Sequence, residues 1–258
     1  MEDILKILVS NDDGIHSIGV STLVNELRKI GTVTVVAPAM EQSAAGHSIT
    51  MKNPLRVKEY FVNNKLFGYA VDGTPADCIK MGIKNILEEK PDIVISGINN
   101  GSNAAINVIY SGTVSAAREA AIMNVPSIAV SVNSHTPNHY EYAAKLAAKL
   151  AVFVGNKKLR EGTLLNVNVP DLPEEEILGI SITKQGQSKW DDYYEERIDP
   201  YGVKYYWLTG KMDFQDVEKD CDVIAMKNNR VSITPVHFDL TDYKMFDEMK
   251  NWNLTSLK

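Results

Sequence analysis

The sequence predicts an α/β protein built on an open, doubly wound, mainly parallel sheet with helices on both faces. Three observations carry this. Short β-branched runs alternate with stretches whose apolar residues recur at helical spacing. The runs are continuously apolar, as in strands buried on both faces, and do not alternate with polar residues. The strand–helix order repeats from the N-terminus to about residue 168, the signature of parallel strands joined by crossover helices.

Lys6–Ser10 is the first strand, followed by Val20, Leu23, Val24, Leu27 and Ile30 at helical spacing. Thr32–Ala37 is the second strand. Thr74-Pro75-Ala-Asp77 opens a helix, with Thr74 as N-cap, Pro75 in the first turn and Asp77 completing a capping box. Asp92–Ser96 is the next strand, Val114–Met123 a helix, and Ser127–Ser131 a further strand. Ala143–Val154 is an amphipathic helix and Leu164–Asn168 a strand. Residues 1–170 are read as the core and 171–258 as an extension that completes the sheet. In the extension, aromatic stretches flank Pro200-Tyr-Gly202, a turn signal, so a hairpin is expected at about 190–208. It either packs on another subunit, where aromatics are favoured, or folds back on its own sheet. Arg230–Thr234 is a last strand, before a helix from about Thr241 to Lys250.

The 258 residues, 44% hydrophobic and 23% charged, have the balance of an ordinary globular protein. A net charge of −6 argues against a broad basic footprint, so no duplex nucleic acid partner is expected. Two distant cysteines, Cys78 and Cys221, argue against a disulfide scaffold and suit a reducing compartment. No apolar run reaches the roughly 18 residues of a membrane span. Met1–Lys6 carries acids where a secretion signal carries bases, and a cytoplasmic location is expected.

Ligands of open α/β sheets bind beyond the carboxyl ends of the strands. Three polar loops open there: Asn11-Asp12-Asp13-Gly14, the stretch from Pro38 to Thr50 with Ser43 and His47, and Ser96–Asn103 with Asn99. Adjacent aspartates at a strand end repel, and burying both is costly without a cation between them. Asp12 and Asp13, with Ser43 and Asn99, are candidates for an all-oxygen ligand set, which favours Mg²⁺ or Mn²⁺ over Zn²⁺. The alternative is that Asp12 caps the following turn and Asp13 is solvated. Ser111-Gly112-Thr113 precedes a helix and offers N–H groups, two hydroxyls and a helix-dipole terminus to a phosphate. The plain alternative is Thr113 as N-cap beside a tight glycine turn. No Walker sequence and no Gly-x-Gly-x-x-Gly follows the first strand, so P-loop ATPases and ordinary dinucleotide oxidoreductases lose support. His135 and His139 are separated by Pro137 and read as loop residues, while His47 and His237 stay ambiguous. Cys78 is read as a buried thiol.

Taken in order, Ile7–Ile15, Val36–Pro38 with Ser43 and His47-Ser48, Gly73–Asp77, Val94–Asn99, Tyr110–Val114 and Val231–Pro235 resemble the SurE survival-protein family. Any one motif is weak; six in order over nearly the whole chain are specific. The resemblance implies a Rossmann-like core and a metal-dependent phosphomonoesterase. It would hydrolyse nucleoside 5′- and 3′-monophosphates with a metal-activated water, and short polyphosphate as a further substrate. By position Asp12, Asp13, Ser43 and Asn99 match the family's ligands for one Mg²⁺ or Mn²⁺ per subunit. Ser111, Gly112 and Thr113, with Asn11 and Asn99, fall on the substrate and phosphate side. Homodimers or homotetramers built through the hairpin and C-terminal segment are implied as well. Two positions depart from the family pattern: Gln42 stands where many members have a basic residue, and Ser102 where proline is usual.

In the expected chemistry the Asp pair anchors the ion and one of the two accepts the water's proton; Asp13 is the first choice, although the sequence does not decide. Rival readings are a haloacid-dehalogenase phosphatase, a metal-dependent nucleoside N-ribohydrolase and a non-catalytic nucleotide sensor. The first needs Asp-x-Asp-Gly-Thr, whereas here the acids are adjacent and no threonine follows Gly14.

Overall fold

The computed structural model describes residues 4–157, 159–213 and 215–254. The elements in chain order are β1 (Leu5–Ser10), α1 (Ile18–Leu27), β2 (Gly31–Pro38), β3 (Val57–Val62), β4 (Lys65–Val71), α2 (Pro75–Met81), β5 (Ile93–Asn100), α3 (Asn107–Tyr110), α4 (Gly112–Ile122), β6 (Ser127–Val132), α5 (Tyr140–Lys157), β7 (Thr163–Val169), β8 (Ile180–Ile182), β9 (Lys189–Ile198), β10 (Lys204–Asp213), α6 (Asp222–Lys227), β11 (Val231–His237) and α7 (Tyr243–Met249). Nine strands form one sheet in the order β3-β4-β2-β1-β5-β6-β7-β11-β8. The run β4-β2-β1-β5-β6-β7 is parallel throughout. The expected α/β class and mainly parallel sheet are what the structure shows.

The central strands are buried because helices cover both faces. Ile7, Val9, Ile93, Ile95, Ile128 and Val130 pack with Val20, Leu23 and Leu27 of α1 and Ala143, Ala147 and Ala151 of α5. On the other face Leu8, Val36 and Val94 meet Cys78 and Ile79 of α2 and Ala116 and Ala120 of α4. Cys78 is thus a core thiol. The small residues of α4 let it lie close to the sheet, which brings its N-terminus to the end of β1.

The structure differs from the sequence reading at several places; β5 runs on to Asn100, so Asn99 lies in the strand and not in the loop expected over Ser96–Asn103. The β3–β4 hairpin, in a stretch assigned to no element, extends one edge of the sheet; its turn residues Asn63 and Asn64 have φ of 50° and 59°, the left-handed pair a two-residue hairpin loop requires. The residue that caps α4 is Ser111, whose Oγ accepts the Val114 N–H at 3.0 Å, and not Thr113. The aromatic hairpin runs longer than expected, Lys189–Asp213, and forms a separate two-stranded ribbon, β9 antiparallel to β10. Beyond it, β11 pairs antiparallel with β7 and parallel with β8.

Candidate active site

Because β1, β2 and β5 are parallel, their carboxyl ends open at one rim, and hydrogen bonds tie their loops together there. Asp12 follows β1 and is only 6% exposed. Its Oδ2 accepts the Thr113 backbone N–H at 3.0 Å, and its Oδ1 accepts the Thr113 hydroxyl. The carboxylate therefore sits at the positive end of α4, where a helix dipole favours negative charge. Gly112 makes the approach possible: a Cβ there would lie 2.8 Å from the Asp12 Cβ and 3.1 Å from Pro75 Cγ.

Asp13 is half-buried, and its Oδ2 accepts the Asn100 N–H at 3.3 Å. The Tyr140 hydroxyl donates to Asn100 Oδ1 at 2.5 Å, fixing that amide from the start of α5. Gln42, in the loop after β2, donates its N–H to the Asp12 carbonyl at 2.8 Å. Gly46 of the same loop donates to the Tyr110 carbonyl at 3.0 Å, joining it to the segment that enters α4.

The two carboxylates are unsettled as free anions. Burial pushes Asp12 above the ordinary carboxylate range despite its bonds to Thr113. Burial, then the neighbouring Asp12 charge, lifts Asp13 to about 7. Asn11 adds an acceptor: its Nδ2 donates to the Gly14 carbonyl and Ser17 Oγ, both at 2.9 Å, whereas its Oδ1 is buried without a partner. The Asn99 Nδ2 is likewise spent on the Gly101 carbonyl at 2.6 Å, which leaves Oδ1 as its free function. Carboxylate and amide oxygens in excess over donors fit a hard divalent cation.

The remaining expected site residues fall as follows. Ser43 is exposed on the Gln42 loop, and its hydroxyl donates to Glu41. Thr113 is fully buried with both donors committed to Asp12, so it acts on a ligand through that carboxylate. Ser111 keeps a hydroxyl proton to donate while its oxygen accepts the Val114 N–H. His139 bonds Asp171 just ahead of α5, and His237 bonds the Glu161 carbonyl.

Sequence reasoning missed Glu119. This residue of α4 is 3% exposed, yet it meets Lys80 Nζ of α2 at 2.6 Å and His47 Nε2 of the Ser43 loop at 2.8 Å. Burial raises its pKa, but the His47 bond and then Lys80 outweigh that and hold it below the usual glutamate value. Its signal in the sequence was a lone acid among the small apolar residues of α4. His47 thus bonds a neighbouring helix and not merely its own loop.

The chain is similar to known proteins over nearly its whole length. The family model of survival protein SurE matches residues 7–192. A 5′-nucleotidase SurE from Chlorobaculum tepidum is 47% identical over 248 residues, covering 96% of this chain and 94% of that protein. Its namesake from Geobacter sulfurreducens is 47% identical over 257 residues, 98% of this chain and 96% of that protein. The crystal structure of a SurE protein from Aquifex aeolicus aligns with a TM-score of 0.83 at 41% identity, over 96% of this chain and 99% of that one. From Asp12 at the sheet rim to the last strands, the chain belongs to the SurE family.

Proposed function

We propose that this protein is a 5′-nucleotidase, a phosphoric monoester hydrolase that cleaves nucleoside monophosphates to nucleoside and phosphate with the help of one Mg²⁺ or Mn²⁺ per subunit. The single observation that carries this is the pair Asp12–Asp13 at the end of β1, one carboxylate gripped by the N-terminus of α4 and the other lifted to about 7. Relatives named 5′-nucleotidase SurE that span nearly the whole chain support the substrate class.

Asp12, Asp13, Asn99 and Ser43 would hold the ion, with the unserved Asn11 oxygen nearby in sequence. When bound, it supplies Lewis-acid chemistry, offsetting phosphoryl charge and making water more acidic. The protein's own groups do the rest. Asp12 has both oxygens tied to Thr113 and stays an anchor. Asp13 has one oxygen lightly held by Asn100 and takes the proton of the attacking water. Ser111 and Gly112, at the positive end of α4, face the phosphoryl charge as it builds. The terminal phosphoryl groups of 3′-monophosphates and short polyphosphate present the same chemistry to this rim, and both belong to the proposed range.

The protein acts as a homodimer or homotetramer in this reading. The ribbon β9–β10 exposes Tyr193, Tyr194, Tyr206 and Trp207, aromatics suited to a second copy. Among the described residues no helix is long and apolar enough to cross a membrane, and the proposed site of action is the cytoplasm.

The test is phosphate release from a panel of nucleotides with Mg²⁺, Mn²⁺ or chelator. Release of phosphate that chelator abolishes and either ion restores is expected, as is its loss in Asp13→Ala with the fold intact. Release of free base would favour an N-ribohydrolase, and tight binding without turnover a nucleotide sensor.

A further inference from the structure

We propose that a cleft beside this rim seats the nucleobase, and that the side-chain amides of Gln42 and Asn53 read its edge; the proposal rests on the nucleotidase reading above. The cleft has a volume of about 480 Å³ and is lined by Met40, Gln42, Asn53 and Pro54, with Arg56 and Asp72 at its side. It lies beyond the carboxyl ends of β2 and β4, where the Ala39 N–H bonds the Val71 carbonyl at 2.8 Å.

Position argues first. In the sheet β2 and β4 stand one and two strands from β1. At about 4.8 Å per strand the ends of β2 and β4 are offset sideways from the end of β1 by roughly 5–10 Å. That is the span from phosphate to base in a nucleoside monophosphate. One residue touches both places: the Gln42 backbone N–H holds the Asp12 carbonyl at 2.8 Å, and Gln42 is among the residues lining the cleft.

Chemistry argues second. Most polar groups around the cleft are already committed. Thr50 donates its N–H and hydroxyl to Asp77, at 3.0 and 2.7 Å. The Thr74 hydroxyl donates to the Ser48 carbonyl at 2.7 Å. Arg56 pairs with Asp72 at 3.5 Å. Among the described residues, the side-chain amides of Gln42, half-buried, and Asn53, exposed, bond no other protein group and are open to a ligand in exchange for water. Each presents a donor beside an acceptor, the pattern a base edge answers. Met40 and Pro54 add apolar surface for the ring faces. The cation in the lining is already paired, so the cleft suits an uncharged base better than a further phosphate.

The experiment compares wild type, Gln42→Ala and Asn53→Ala on two substrates that share the transferred phosphoryl group and differ in the leaving group, a nucleoside 5′-monophosphate and p-nitrophenyl phosphate, which has no base. Calorimetric binding of the free nucleoside is measured alongside. Each variant is expected to lower the ratio of kcat/KM for nucleotide over p-nitrophenyl phosphate about tenfold, through KM, the size of one lost hydrogen bond. Nucleoside binding should weaken by a similar factor. An unchanged ratio with unchanged nucleoside binding overturns the cleft while leaving the nucleotidase reading intact. Wild type that releases no phosphate, yet binds nucleoside through these two amides, overturns the nucleotidase reading and keeps the cleft.

Discussion

The backbone N–H of Thr113 donates to Oδ2 of Asp12 at 3.0 Å, and the same residue's hydroxyl donates to Oδ1. One threonine at the start of α4 thus orients a carboxylate 101 positions away in the chain. Thr113→Val keeps the shape and the N–H and removes the hydroxyl. A hydrogen bond to a charged group contributes about 1.5–3 kcal/mol, so kcat/KM for nucleotide hydrolysis is expected to fall about 10- to 100-fold. Steady-state phosphate release measures it; an unaltered rate would remove this contact from the mechanism.

Gly112 tests the same relationship from the backbone side. An added Cβ would sit 2.8 Å from the Asp12 Cβ and 3.0 Å from its Oδ2. Neither the β1 terminus nor the first turn of α4 can give way without moving the other. Gly112→Ala is therefore expected to lose at least about tenfold in rate, or about 1.4 kcal/mol, and to bind Mn²⁺ more weakly in calorimetry. A variant with wild-type affinity for Mn²⁺ would mean that the carboxylate has room to spare.

Asp13 gives a pH dependence of definite sign. Its folded pKa of about 7 lies above the ordinary 3.8, because burial and the Asp12 charge penalise the anion. In metal-free protein the native state then holds the proton more tightly than the unfolded chain. The stabilisation is complete below about pH 4 and is lost as pH rises towards about 7. The buried Asp12 and Asp222 carboxyls, also raised, add to the same slope. Asp77, Asp171, Asp216 and Glu119 are shifted down, so their contributions change only at lower pH. Melting of metal-free wild type is expected to drop in Tm between about pH 5 and 7, and Asp13→Asn to flatten that drop. Mg²⁺ or Mn²⁺, which competes with the proton, should raise Tm most at the upper end of the range. Identical slopes for the two proteins would show that Asp13 does not titrate there.

Much of this arrangement can be read in the sequence, for physical reasons. Strands covered on both faces are mainly apolar, and β1, β5 and β6 announce themselves that way. Once they are parallel, their carboxyl ends share a rim, and Asp12, Asp13 and Asn99 follow from chain position. The capping box of Thr74 and Asp77 is also local, and both of its hydrogen bonds are present. The β3–β4 hairpin was hidden because Val57–Val62 lies at the sheet edge and is exposed on both faces, so it lacks apolar alternation. The exchange of roles between Ser111 and Thr113 was hidden for another reason. Both hydroxyls can cap α4, and only the approach of Asp12 decides which one is drawn away. Glu119 shows the same limit: its partners His47 and Lys80 come from other elements, and no local pattern connects them.

The Glu119 cluster makes a prediction whose order matters more than its size. Lys80 and His47 join α2 and the Ser43 loop to α4 through a buried Glu119 side chain that is 4% exposed. The Lys80 side chain keeps 44% of its surface in solvent. Glu119→Gln leaves a lysine that water can still reach, and the amide can still bond His47. Lys80→Met instead leaves a buried carboxylate with one partner fewer, and an under-served buried charge costs more than a solvated one. Both variants should be less stable, Glu119→Gln by about 1–2 kcal/mol and Lys80→Met by more. Because Glu119 is held below its usual pKa, the deficit of Glu119→Gln should shrink as pH falls through the glutamate range, where the wild-type ion pair is itself lost. Urea unfolding at pH 7 and pH 4 measures both effects. If Glu119→Gln proved the more damaging at neutral pH, the cations would be stabilising this cluster through packing and not through the charge they neutralise.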